Sequence, residues 1–225
     1  MCNWIDELVS NTDFSQNKPL RDIVYEGLRT TIISGKIPVS ERIIEKEYAE
    51  KLKISRTPIR EALKRLQSEE LVEYIPKYGV VVKAVTKNDA LEVFKIRESL
   101  EILVINNTID NITENEICQI KKLLDLTEIK NSEGDLEEVQ RLFKEFNTCI
   151  YKASKMNRLP LMISQLNDYL HHFRNISILD ETRRKNAISE HRKILEAIVN
   201  KDKEAAEEFI KSHLKDSLSI VLKEI

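Results

Sequence analysis

Four polar side chains at the start of one helix have the types and spacing to hold a polyanion. In "ISRTPIREALKRL", Ile54 to Leu66, Arg56, Thr57 and Arg60 surround a proline, and Lys64 follows one turn later. Ile59, Ala62, Leu63 and Leu66 follow the i, i+3, i+4, i+7 spacing of a buried stripe, so the basic side chains face away from the core. Thr57 and Pro58 suit a cap and a first helical position, which sends Arg56, Thr57 and Arg60 off the N-terminal end. The free N–H groups and dipole at such an end favour phosphate. An arginine there can offer two parallel donors to guanine O6 and N7 in a major groove that admits one helix. A solvated charged face is the plainer alternative; a preceding helix, a short turn and a following basic hairpin tip weigh against it.

A second set of polar residues faces an interior. Asn147 lies four after Phe143 and three before Ile150, His191 three after Ile188 and four before Leu195, and His213 four after Phe209. Three polar side chains pointing inward from three helices each need a partner. Two histidines without a carboxylate make a weak metal site, since stable sites use three or four protein ligands. Three readings stay open: a weak divalent-metal site at His191 and His213, core histidines satisfied by neighbours, or a metal-free pocket whose occupant these groups hydrogen-bond. The last is preferred; no cofactor is certain, and a divalent metal is the one alternative kept. Arg97 lies on the stripe Val93–Arg97–Leu100–Val104 and needs an anion, either Glu101 one turn on or a bound carboxylate. No ligand role is read for the adjacent His171 and His172.

The elements that must position these groups follow from periodicity. A first helix is predicted over 19–34, ending at Gly35, and a second from a Ser40 cap through 51, with Ile44, Tyr48 and Leu52 inward. The third runs to Glu69, and "LVEYIPKYGVVVKA" (71–84) has the composition of a two-strand hairpin with its tip at Lys77–Gly79. From Thr86 onward the pattern is helical, over 87–108, 114–130, 136–154, 158–176, 181–199 and 202–223. Three of these open on a cap-x-x-acid pair: Thr86 with Asp89, Thr113 with Glu116, Asp135 with Glu138. The expected fold is mainly α: an N-terminal winged helix-turn-helix with a small β-hairpin over 18–85, then a six-helix antiparallel bundle over 86–225. Residues 1–17 read as a flexible tail.

Composition narrows the function. Residues 18–85 carry 14 Lys/Arg against 10 Asp/Glu, whereas the whole 225-residue chain has a net charge of −2. A local basic patch on a near-neutral chain indicates a defined polyanion site. No apolar run approaches a membrane span, and "MCNWIDELVS" lacks a signal-peptide pattern, so a cytoplasmic protein is expected. Cys2, Cys118 and Cys149 are odd in number and far apart, as reduced thiols are. No nucleophile elbow, phosphate loop or HExxH occurs, so no enzyme is expected.

Residues 20–84, with "VYEGLRTTIISGKI" and "EKEYAEKLKISRTPIREALKRLQSEELVEYIPKYGVVV", closely resemble the DNA-binding domain of GntR-family transcriptional regulators. The resemblance implies contacts to double-stranded DNA from Ser55, Arg56, Thr57, Arg60 and Lys64, and a backbone contact from Lys46. It implies minor-groove contact by the tip, Lys77, Tyr78 and Gly79. The usual proline-glycine before the second helix is replaced by "IPVSER", which alters the turn. The remainder resembles the FCD-type ligand-binding domain of the FadR subgroup, through "FKIRESLEILV", "LFKEFNTCIYKASKMNRL" and "SEHRKILEAIVNKDKEAAEEFIKSHL". Many members hold a divalent metal with an aspartate and three histidines beside a carboxylate pocket. Here the D-x-x-F-H motif reads Phe143-Lys144-Glu145-Phe146-Asn147, so two ligands are replaced while His191 and His213 remain. The resemblance implies a homodimeric repressor on an inverted-repeat operator. It also implies a small effector, such as a carboxylate, held by Arg97, Asn147, His191 and His213, which changes the spacing of the two DNA-binding domains. The alternatives are a metal-responsive regulator or a DNA-binding protein with a non-functional sensor.

Overall fold

Leu20–Ile33 forms α1, which buries Val24, Leu28 and Ile32 and stops where Gly35 takes a left-handed φ of 72°. The structure, a computed structural model, describes residues 17–169 and 178–225 together with Leu8 and Ser15. The tail expected over 1–17 lies almost wholly outside the described residues, as do His171 and His172.

The segment after α1 departs from expectation. Ser40 does not cap a helix; its φ of 65° is left-handed, and Arg42–Ile43 becomes a two-residue strand, β1. Helix α2 starts later, at Glu45–Leu52, behind Ile44. Its neighbour α3, Arg56–Ser68, buries Ile59, Ala62, Leu63 and Leu66 as the spacing demands. The cap of α3 is Ser55, in extended conformation, and not Thr57; Pro58 therefore falls at the third helical position, still inside the first turn, where its missing N–H costs no bond. Strands β2, Val72–Ile75, and β3, Gly79–Val82, make the expected hairpin. Because β1 pairs antiparallel with β3, the sheet has three strands in the order β1-β3-β2, not two.

The bundle is built from α4 (Lys87–Asn111), α5 (Glu114–Glu133), α6 (Leu136–Ala153), α7 (Leu159–Tyr169), α8 (Glu181–Val199) and α9 (Lys203–Glu224). Thr86 and Thr113 close full capping boxes with Asp89 and Glu116, whereas Asp135 accepts from the Glu138 N–H without the reciprocal bond. Helix α4 packs against α6, α7, α8 and α9, while α5 packs against α6 and α8. Ile105, Ile120, Leu124, Leu142 and Ile163 are fully buried between them, each such side chain contributing about 1.5–3 kcal/mol. The chain divides into two compact units, Met1–Val85 and Thr86–Ile225, each with its own core.

Candidate DNA interface and effector cavity

Ser55, Arg56, Thr57, Arg60 and Lys64 are all exposed, while Pro58 and Ile59 are buried beneath them. Since the Ser55 hydroxyl caps nothing, it stays available to a ligand. Exposed Lys46 on α2 lies 3.7 Å from Glu50, a loose pair. At the wing tip, Tyr78 N–H donates to the Ile75 carbonyl at 3.1 Å, and Lys77 takes a φ of 66°. Gly79, at φ 112°, has space that a Cβ would fill 3.4 Å from the Arg42 Nε.

Two residues that sequence spacing did not single out tie these groups together. Arg42 of β1 stands over the Tyr78 ring at 5.1 Å. Three residues on, Glu45 takes the Arg60 fork side-on, Nη2–Oε2 2.8 Å and Nε–Oε1 3.1 Å. The Arg60 hydrogen bond holds the Glu45 carboxyl below the ordinary carboxylate range. Behind the interface, Glu69 fastens α3 to α1: it accepts from the Tyr25 hydroxyl and from Arg29 Nε at 2.9 Å, and Arg65 lies over the Tyr25 ring at 3.6 Å. Burial, then the Glu69 bond, pushes the Tyr25 phenol up to about 12. Arg65, still half exposed, is thereby engaged by Tyr25 and Asp22 of α1.

In the second unit, Asn147, His191 and His213 come together as the periodicity predicts, lining one cavity with Glu101, Phe146 and Ile210. It has about 20 Å³ of free space, room for one water-sized occupant in this conformation. His191 is buried, stacked on Phe146 with centroids 4.2 Å apart, and meets the Phe143 ring edge-on at 5.2 Å. His213 stands 5.0 Å from His191, its Nδ1 2.6 Å from Glu190 Oε2. A carboxylate accepts only, so that nitrogen carries the proton. Arg183 donates to the other Glu190 oxygen at 2.8 Å. Burial works to raise the Glu190 carboxyl, but the His213 bond and the charges of His213 and Arg183 outweigh it and hold it low.

Arg97 is in this structure given to Glu101, Nη2–Oε1 2.7 Å and Nε–Oε1 3.2 Å, both side chains buried. Glu101, rather than Arg97, lines the cavity. The residues do not fit a metal. Phe143 offers a ring edge where a carboxylate ligand is needed, and among the described residues no three His, Cys, Asp or Glu stand where they could hold an ion.

A winged helix-turn-helix with an exposed basic helix start, joined to a helical bundle around a polar cavity, defines a DNA-binding regulator with a sensing domain. Residues 20–82 match the profile for bacterial regulatory proteins of the gntR family, and residues 92–216 match the FCD domain. The chain belongs to the GntR family of transcriptional regulators and carries an FCD domain. It is 32% identical over 205 residues to the HTH-type transcriptional regulator YdhC of Bacillus subtilis, covering 89% of this chain and 91% of that one. It is 27% identical over 202 residues to the regulator McbR of Escherichia coli, covering 88% and 90%. The solved structure of E. coli McbR/YncC superposes with a TM-score of 0.72 over 92% of this chain and 99% of that one. Such a chain is a regulator and not an enzyme.

Proposed function

We propose that this protein is a cytoplasmic homodimeric repressor that binds an inverted-repeat operator and responds to a small molecule held in the bundle cavity. The observation that carries the DNA half is the exposed row Ser55, Arg56, Thr57, Arg60 and Lys64 above a buried apolar stripe. Two-fold proteins use two-fold sites, which supports the inverted repeat. Repression is supported by a relative, the gluconate operon transcriptional repressor of Bacillus subtilis, 25% identical over 186 residues.

For the sensing half, the ionisable side chains Glu101 and His213 at the cavity each have a partner within the protein, Arg97 and Glu190. A carboxylate effector would have to draw Arg97 away from Glu101 and leave a buried carboxylate uncompensated. An uncharged, hydrogen-bonding metabolite would leave both pairs intact, and its binding requires the cavity to widen beyond the water-sized space of this conformation. Asn147 and His213 would orient it, and Phe146 and Ile210 would cover it. His191, between its two phenylalanines, sets the wall against which it lies.

Operator duplexes selected in vitro from random sequence test the DNA half. Arg60→Ala should weaken the selected site by about 1–3 kcal/mol and relax one base position. Lys46→Ala should weaken all sequences alike and reduce the log–log salt slope by about 1. Wild-type binding by both variants in a mobility-shift titration would refute the interface. A thermal-shift screen of matched carboxylates and amides tests the sensing half. A carboxylate that stabilises the wild type but not Arg97→Ala would restore Arg97 as the anion holder.

A further inference from the structure

We infer that Glu45 is a positioning residue for base readout: its carboxylate holds the Arg60 guanidinium side-on so that the end-on edge faces a guanine. The inference rests on Arg60 entering the major groove, and goes beyond it by assigning a specificity role to an acidic residue on the preceding helix.

The argument starts from donor geometry. Arginine has five N–H groups in a planar fork. Glu45 engages Nε at 3.1 Å and one hydrogen of Nη2 at 2.8 Å. Nη1 and the second Nη2 hydrogen remain, and these form the pair of parallel donors that guanine O6 and N7 require. The acceptor is itself anchored. Glu45 is the first residue of α2, whose next turns are fixed by buried Tyr48 and Leu52, and the N-terminal end of a helix stabilises its negative charge. Glu45 is also less exposed than its partner, 29% against 58% for the side chains. The shielded member is thus the carboxylate and the reaching member is the arginine.

An exposed ion pair adds little to fold stability, so stability does not explain this one. Its consequence is for binding. A free arginine has many rotamers to lose on meeting a base, and a fork already held loses fewer. The carboxylate also repels phosphates, so a misaligned or non-cognate duplex gains less from this surface than from an all-basic one. Glu45 would therefore lower non-specific affinity while sharpening the cognate site.

The test uses the full chain with a duplex selected on the wild type, that duplex carrying single substitutions at each guanine, and an unrelated duplex. Glu45→Gln, close in shape and uncharged, and Glu45→Ala are compared with Arg60→Ala, with thermal melts to verify folding. The expected result is a fall of about tenfold in the ratio of selected to unrelated affinity for both Glu45 variants. Discrimination should be lost at the same guanine that Arg60→Ala relaxes. If the Glu45 variants tighten selected and unrelated duplexes equally, Glu45 is only a competing anion and the inference fails. If they keep wild-type discrimination while Arg60→Ala loses it, Arg60 reads the base unaided and the inference again fails. If Arg60→Ala itself discriminates normally, the placement of Arg60 in the groove falls, and this inference with it.

Discussion

Arg97 and Glu101 show how one buried pair can exclude a ligand charge. Their side chains are only 6% and 7% exposed, and the two short contacts leave the carboxylate facing the cavity from a neutralised position. Removing one partner of such a pair strands the other, at a cost of roughly 3–5 kcal/mol, whereas replacing both with apolar groups of similar size is often nearly neutral. Arg97→Met should therefore destabilise the bundle by about that amount in urea unfolding, and Arg97→Met with Glu101→Leu should recover most of it. Equal destabilisation by the single and double variants would mean that Arg97 acts through packing alone. This pair was legible in the sequence because residues four apart share a helix face. Glu45 with Arg60 and Glu190 with His213 were not, being 15 and 23 residues apart and joined only once α2 meets α3 and α8 meets α9.

The helices declared themselves by period and by caps, and their ends mostly followed. The Thr113 box is an example: its Glu116 also accepts from Lys155 at 2.7 Å, tying the start of α5 to the end of α6. That Lys155 bond, followed by those of Thr113, lowers the Glu116 carboxyl from 4.5 to about 2. A carboxyl depressed on folding stabilises fully above its unfolded value and loses that contribution as pH falls from about 4.5 to about 2. Lys155→Met should thus cost roughly 0.2–1 kcal/mol at pH 7, as exposed pairs do, and the difference from wild type should shrink in unfolding experiments at pH 3. A constant difference at both pH values would trace the loss to packing of the lysine stem. β1 had no such signature. Two residues carry no alternation, and the serine before them suggested a helix cap; pairing with β3 decided the outcome, which local propensity could not. Yet this strand sets Arg42 over the wing tyrosine and leads into Glu45, which meets Arg60 of α3, so the least legible element organises the candidate interface.

Across the whole chain, the groups suited to DNA lie in Met1–Val85 and the cavity lies in Thr86–Ile225. In the first unit the exposed cations above an apolar stripe were legible from sequence, because such a pattern has few uses, while β1 and the Glu45–Arg60 pair were not. The second could be read only to the level of a polar cavity, because its selectivity depends on which charges are already paired. A regulator made of two such units must transmit as a coupling free energy, and that coupling is reciprocal. If an effector weakens operator binding by some factor, typically about 5–150-fold, operator must weaken effector binding by the same factor. Anisotropy titrations of labelled operator at saturating effector, and calorimetric titrations of effector into the protein–operator complex, should return equal factors. An effector that fills the cavity yet leaves operator affinity unchanged would mean that the cavity does not regulate DNA binding. A ligand with no difference in affinity between the two states shifts nothing, however tightly it binds. The decisive quantity is therefore the difference in effector affinity between free and operator-bound protein, and an effector whose affinity drops on operator binding releases the DNA.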